Sequence, residues 1–148
     1  MKILVAGDDP QANVMGGFLA RLGHDVALVG ESAHVETARK SGLVMTGMWG
    51  DYRIKAFDFF RQWKDVPPEI LSEGIILLCS NPAQLPPGTH LFAKCHFEAA
   101  FSAPGVITVT RGTGEMTLIS PPPGVDLKGK VIEMAHTLSL AKIPARGV

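Results

Sequence analysis

The first 32 residues constrain the fold more than any other segment, because they alternate one strand, one helix and a second strand. Residues 1–6 are apolar except for Lys2, a pattern typical of a buried parallel strand, and Gly7 ends it. Gly23 stands where a helix would stop, and Asp25–Val29 predicts the next strand. This order indicates a βαβ unit within an α/β fold.

The loop after the first strand departs from the G-x-G-x-x-G fingerprint of dinucleotide-binding βαβ units. Gly7 and Gly16 are nine positions apart, whereas the first and third glycines of the fingerprint are five apart, so four residues are added. Asn13 stands where the second glycine, which lets the backbone approach the pyrophosphate, is expected. The pair Asp9-Pro10 is typical of a helix N-cap and first helical position.

Two arrangements of this loop are open. If the helix begins at Asp9, about one extra turn fills the pyrophosphate position, and the carboxylate satisfies the N–H groups that a phosphate would bind. We favour this arrangement because the same residues supply the cap and the negative charge. Alternatively, the insertion bulges outward and the helix starts near Asn13. The open loop would place these residues against a dinucleotide: Gly7, Asn13, Val14, Met15 and Gly16.

Glu31 is the candidate ribose ligand. It lies 24 residues after Gly7, and subtracting the four added residues leaves the spacing of about 20 expected of an acid that binds ribose hydroxyls. A carboxylate would repel the 2′-phosphate of NADP, so Glu31 favours NAD over NADP. The alternative is an exposed charge at a strand end. We therefore expect either no cofactor, or NAD(P) if the glycine loop is open.

The rest of the chain completes one α/β, Rossmann-like domain over residues 1–148, with a parallel-rich sheet flanked by helices and a few antiparallel strands near the end. Ser32 and Gly42 bracket a helix over Ala33–Ser41, and the apolar run after Gly74 predicts a central strand. Residues 81–88 are too few for a crossover helix. Further predicted elements are strands over 43–46, 52–59 and 90–93, a pair of strands over 105–110 and 115–120 joined at 111–114, a helix over 126–140 and an extended stretch over 143–148.

Charge and cysteine content exclude several classes of partner. Lys plus Arg equals Asp plus Glu at 14 each, so no field of one sign recruits nucleic acid or an anionic membrane. No apolar run approaches the roughly 20 residues of a membrane span. Cys79 and Cys95 form no CxxC motif, which suits a reducing cytoplasm, and Cys79 is expected to be an inert buried thiol. The histidines are scattered, so no metal site is predicted.

Several ordered segments resemble the N-terminal nucleotide-binding domain of the ketopantoate reductase (2-dehydropantoate 2-reductase) family. They are MKILVAG, GGFLARLGHDVALVG, SAHVETARKSGL, IILLC, FSAPGVITVTRGTGEMTLIS and VIEMAHTLSLAKIPA. The resemblance implies a Rossmann domain of an NADPH-linked reductase that acts on a 2-oxo acid such as ketopantoate.

Departures from the family limit what can be carried over. The family has a Gln-Asn-Gly segment and a helix where residues 81–88 stand, and a lysine where Cys79-Ser80-Asn81 stands. Ser80 is the residue there that would adjoin a cofactor. The resemblance also implies a helical domain that supplies a catalytic lysine and an acidic residue, and neither has a counterpart before Val148. We therefore assign no catalytic residue and expect no activity from this chain alone.

Three functions remain open at this point: a non-catalytic Rossmann-fold protein, an NAD(P)-binding subunit that works with a partner chain, and a nucleotide-responsive regulator. The resemblance implies a surface that normally packs against a helical domain. We expect this surface to be buried in a homodimer or by a partner protein, because soluble monomers rarely expose large apolar patches. The candidate interface residues are Trp49, Phe60, Met134 and Leu138.

Overall fold

The protein is an α/β structure of two sheets, seen in a computed structural model that describes residues 1–80, 85–112 and 115–148. In chain order the elements are β1 (Lys2–Ala6), α1 (Pro10–Arg21), β2 (Asp25–Val29), α2 (Ala33–Ser41), β3 (Leu43–Gly47), β4 (Tyr52–Ile54), β5 (Phe57–Phe60), a 3-10 turn (Trp63–Asp65), α3 (Pro68–Glu73), β6 (Ile75–Leu78), β7 (Thr89–Lys94), β8 (Phe97–Ala103), β9 (Val106–Gly112), β10 (Thr117–Ser120), α4 (Lys128–Leu140) and β11 (Ala145–Gly147).

The large sheet has the strand order β11-β10-β7-β6-β1-β2-β5 and is parallel except where β10 pairs with β7. β1 lies between β2 and β6, with Ile3 opposite both Val26 and Ile75. All four residues of β6 are buried, so the predicted central strand is confirmed. The Rossmann-like α/β fold class predicted from the sequence is therefore confirmed.

The helix α1 lies between the two sheets. It packs on β1 and β2 of the large sheet and on β3, β8 and β9 of the small one. Two adjacent glycines permit this close packing: a Cβ on Gly16 would lie 3.1 Å from Val5 Cγ2, and a Cβ on Gly17 would lie 2.9 Å from Met45 Sδ. Residues 12–20 are consequently all buried.

The small sheet, β4-β3-β9-β8, corrects the prediction of one strand over residues 52–59. The chain forms two strands there, because the exposed Lys55 and Ala56 turn it from one sheet to the other. The Phe57 N–H donates to the Lys55 carbonyl at 3.0 Å within this turn. β4 pairs with β3, whereas β5 lies parallel to β2 with Phe59 opposite Leu28.

The predicted pairing of residues 105–110 with 115–120 is wrong, although both segments are strands. β9 pairs with β3 and with β8, a strand that the sequence prediction missed, whereas β10 pairs with β7 and β11. A turn at Pro104-Gly105, in which Gly105 has φ 78°, joins β8 to β9 and makes this local pairing the favoured one. Thr113 and Gly114 of the predicted joining segment lie outside the described residues.

The helix predicted over 126–140 is α4, and its position corrects the predicted interface. Met134 and Leu138 are fully buried in the core of this chain, so assigning them to an interface with another chain was wrong. They face inward because they share one helical stripe with Val131 and Ala135, whereas Ile132 lies off that stripe and is 56% exposed. Trp49 and Phe60 are partly buried against the core.

Candidate functional site

A pocket of about 790 Å³ lies at the carboxyl ends of the parallel strands β1, β2, β5 and β6. The segments that follow these strands line it, with Asp8 and Asp9 after β1, Glu31 after β2 and Ser80 after β6. Open α/β sheets bind their ligands at the carboxyl ends of their parallel strands. The pocket is therefore the candidate site.

Asp9 caps α1 at the floor of this pocket. Its Oδ1 accepts hydrogen bonds from the backbone N–H groups of Gln11 at 3.0 Å and Ala12 at 3.2 Å, and Pro10 is the first helical residue. Its Oδ2 accepts a hydrogen bond from the Ser80 hydroxyl at 3.3 Å. The predicted helix start is confirmed, and the alternative start near Asn13 is wrong.

Asn13 lies inside the first turns of α1, where its side chain makes hydrogen bonds that stabilise the fold. Its Nδ2 donates to the carbonyls of Gly7 at 3.0 Å and Asp9 at 2.9 Å, which holds the loop after β1 in place. Its Oδ1 lies 3.0 Å from His34 Nε2, and His34 Nδ1 accepts a hydrogen bond from the Gly105 N–H at 3.0 Å. His34 is therefore the Nε2–H tautomer, and burial lowers its pKa.

The seven predicted cofactor contacts divide into two groups. Glu31 and Ser80 line the pocket. Gly7 packs beneath the loop, where a Cβ would overlap Val35 Cγ2, so its lack of a side chain serves packing. The other four are buried within α1 and do not line the pocket, namely Asn13, Val14, Met15 and Gly16. Of the predicted contacts, this pocket therefore brings together Glu31 and Ser80.

The far side of the pocket comes from the segment after β5, which sequence reasoning missed. Gln62 Nε2 donates to Glu31 Oε1 at 2.9 Å, and Arg61, Trp63 and Lys64 also line the pocket. These residues reach the site because β5 runs parallel to β2, so that both strands end at the same edge. Predicting residues 57–60 as a separate strand parallel to β2 would have placed the segment after it at this site.

Two thiols meet beside the pocket. Cys79 lines it, and its Sγ lies 3.8 Å from the Sγ of Cys95. The hydrogen bond with Cys95, burial and the negative charge of Asp9 raise the pKa of Cys79 well above its usual range. Sequence reasoning treated Cys79 as an isolated thiol, because nothing local shows that Cys95 lies next to it.

Metal ligands and membrane spans are not found among the described residues. No group of three or more His, Cys, Asp or Glu side chains is placed to hold a metal ion in that part of the chain. None of its helices combines the length and apolar character needed to cross a bilayer. Asn81, the asparagine nearest the central strand, lies outside the described residues.

Comparison with known proteins defines the class of this fold. No protein-family profile matches the chain. The crystal structure of 2-dehydropantoate 2-reductase from Methylococcus capsulatus has a TM-score of 0.77 at 19% identity, over 100% of this chain and 57% of that one. A structure of D-mandelate dehydrogenase with NADH and anilino(oxo)acetate has a TM-score of 0.70 at 16% identity, over 100% of this chain and 57% of that one. The fold is that of the Rossmann-type part of such reductases.

A sequence match gives the more specific likeness. Over 48 residues the chain is 40% identical to the 2-dehydropantoate 2-reductase of Pyrococcus horikoshii, which is 32% of this chain and 16% of that protein. The resemblance to 2-dehydropantoate 2-reductases predicted from the sequence is therefore confirmed in fold and supported over this segment. The chain spans little more than half the length of the solved structures that it matches.

Proposed function

We propose that this chain is a ketopantoate-reductase-like Rossmann-domain protein that is not catalytic alone and whose dinucleotide site is closed by Asp9. The hydrogen bonds of Asp9 support this proposal. Its carboxylate lies on the free N–H groups of the α1 N-terminus and also accepts from Ser80. A helix N-terminus at this edge is where Rossmann domains bind the pyrophosphate, so the side chain occupies the anion position.

The negative charge of Asp9 determines how strongly this side chain weakens dinucleotide binding. Two like charges about 4 Å apart repel by about 1 kcal/mol in water and about 4 kcal/mol at an effective dielectric constant of about 20. Each 1.4 kcal/mol or so is a tenfold change in affinity. The carboxylate therefore weakens a dinucleotide by roughly one to three orders of magnitude, before any loss of the cap is counted.

The second candidate function is an NAD(P)-binding subunit that reduces a 2-oxo acid together with a partner chain. The volume of the pocket and the position of Glu31 at its rim favour this candidate, as does the NADH in the D-mandelate dehydrogenase structure. In this case NAD is favoured over NADP through Glu31, although Arg61 and Lys64 add positive charge nearby. We place either form of the protein in the cytoplasm.

A titration with NADH and NADPH distinguishes the two candidates. Trp63 lines the pocket and Trp49 does not, so the Trp49→Phe variant reports on the pocket by fluorescence. We expect no saturable change with either dinucleotide. In the same background, Asp9→Asn keeps a capping oxygen but removes the charge. This variant should bind the dinucleotide at least tenfold more tightly than the protein with Asp9. Asp51→Asn, which removes an exposed carboxylate that does not line the pocket, is the matched control and should leave dinucleotide binding unchanged.

Micromolar binding by the unaltered site would contradict the closed site and favour the second candidate. An Asp9→Asn variant that binds dinucleotide no better than Asp51→Asn would show that this charge does not close the site. In a separate assay we expect the chain alone to reduce no ketopantoate with either cofactor. Turnover above a blank without protein would refute the non-catalytic part of the proposal.

We also propose that the chain binds a second copy or a partner protein. Apolar residues that remain exposed on α4 support this, with Ile132 and Leu140 each 56% exposed. Sedimentation at low micromolar concentration should show a species heavier than the 15.8 kDa monomer, or one that forms when a partner is added.

A further inference from the structure

The two cysteines lie at the ends of adjacent parallel strands. β6 and β7 pair with Leu78 opposite Phe92, and Cys79 and Cys95 each come directly after the last residue of their strand. Both are free thiols and both are half-buried, with their sulfurs 3.8 Å apart. The fold therefore brings together two thiols that are 16 positions apart in the chain.

We propose that Cys79 and Cys95 are a modification site, at which a small-molecule disulfide converts the two thiols into a reversible intrachain disulfide. This goes beyond the proposed function, since it involves neither a dinucleotide nor an oxo acid. A disulfide has an S–S distance of about 2.05 Å, so the sulfurs must approach by less than about 2 Å. Neither cysteine is part of a strand, so side-chain rotation and a small shift of the backbone at Cys79 and Cys95 can provide this approach.

The exchange proceeds in two balanced steps. In the first, the Cys95 thiolate attacks one sulfur of the small disulfide R–S–S–R, which forms the Cys95–S–S–R bond and releases one RS⁻. In the second, Cys79 loses its proton to the released thiolate and attacks Cys95 Sγ, which forms the Cys79–Cys95 bond and releases the second RS⁻. The protein loses two electrons, and R–S–S–R is reduced to two thiols.

The order of the steps follows from the surroundings of Cys79. Because its pKa is raised by the hydrogen bond with Cys95, by burial and by Asp9, it holds its proton and is the resolving rather than the attacking thiol. Its neighbour Ser80 donates to Asp9, so the new bond would form next to the capped helix end of the pocket. If the two thiols were only packed together and inert, neither would react with a small disulfide.

Intact mass and thiol alkylation test the proposal on the reduced, folded full chain, with oxidised glutathione as the probe. We expect the unsubstituted protein to lose two hydrogens and both alkylatable thiols, without a glutathione adduct, and to regain both thiols in excess reduced glutathione. A digest without reductant should contain the peptides of Cys79 and Cys95 joined. Cys79→Ser should instead accumulate a stable adduct at Cys95.

The same protein unfolded in urea is the control for the fold. The ratio of intrachain disulfide to glutathione adducts should fall at least tenfold there, because the strands no longer hold the sulfurs together. A folded protein that keeps both thiols in excess oxidised glutathione, or that ends with two adducts, would overturn the proposal. An unchanged ratio in urea would show that the fold does not favour the bond, and would overturn it too.

Discussion

Asp9 shows how one side chain can satisfy a helix end that otherwise attracts an anionic ligand. Its carboxylate accepts from two backbone N–H groups of α1, which would lack a partner within the helix. The local sequence Asp-Pro was enough to predict this cap, because both residue types act on the helix that they begin.

Replacing Asp9 with alanine should lower the free energy of unfolding by about 1 kcal/mol, through loss of the cap. Urea denaturation measures this change. Asp8→Ala removes an adjacent exposed carboxylate that does not cap the helix, and it should change stability by less than about 0.5 kcal/mol. Equal effects of the two substitutions would contradict the role of Asp9.

His34 gives the fold a dependence on pH. Burial lowers its pKa below the ordinary 6.5, against a smaller opposing effect of the charge on Asp8. In the unfolded chain this histidine binds a proton below about pH 6.5, whereas the native state takes up that proton only at a lower pH. The free energy of unfolding is therefore highest above this pH and should fall as the pH drops below it.

Urea denaturation between pH 8 and pH 5 checks this expectation. We expect His34→Gln to show a shallower loss of stability toward acid than the unsubstituted protein. His136→Gln, which changes an exposed histidine on α4, should leave the slope unchanged. Identical slopes for the unsubstituted protein and His34→Gln would rule out His34 as the source.

The helix α4 ends in a Schellman motif that contains an unfavourable residue. The Ile143 N–H donates to the Leu138 carbonyl at 2.9 Å, and the Lys142 N–H donates to Ser139 at 3.2 Å. Lys142 occupies the left-handed position with φ 75°, where glycine is the usual residue. Its side chain is exposed, so nothing in the core requires it.

Lys142→Gly should raise the free energy of unfolding by about 0.5–1 kcal/mol, because the left-handed conformation no longer strains a Cβ. Lys142→Ala is the matched control, since it removes the charge and the long side chain but keeps the Cβ, and it should give no gain. Denaturation of the two variants under one condition measures the difference. Equal stabilities would show that the backbone at this position is not strained.

Elements with local signals were predictable from the sequence, and their partners were not. The bounds of α2 followed from Ser32 and Gly42, because a cap acts within its own helix. The split of residues 52–59 between two sheets depends on pairing with β2 and β3, which lie elsewhere in the chain. Glu31 and Ser80 were therefore predictable as residues at strand ends, whereas the contribution of Arg61 and Lys64 was not.

The two sheets share one helix rather than forming separate layers with separate cores. The larger cluster of buried apolar residues runs from the large sheet through α1 to Met45 and Ile107 of the small sheet. A second cluster, which includes Val66 and Leu78, covers the opposite face of the large sheet. α1 therefore contributes buried surface to both sheets at once.

The shared helix should make unfolding a single cooperative event, because neither sheet can lose α1 without exposing the core of the other. Trp49 packs on Phe18 of α1 and on Phe97 of β8, whereas Trp63 packs against the second cluster on the far face of the large sheet. The single-tryptophan variants Trp63→Phe and Trp49→Phe therefore report on opposite ends of the molecule. Each substitution can itself change the urea midpoint, and circular dichroism of the same variant measures that change. After this correction, the two fluorescence transitions in urea should coincide in midpoint and slope. Two separate transitions would mean that the sheets unfold independently, despite the helix between them.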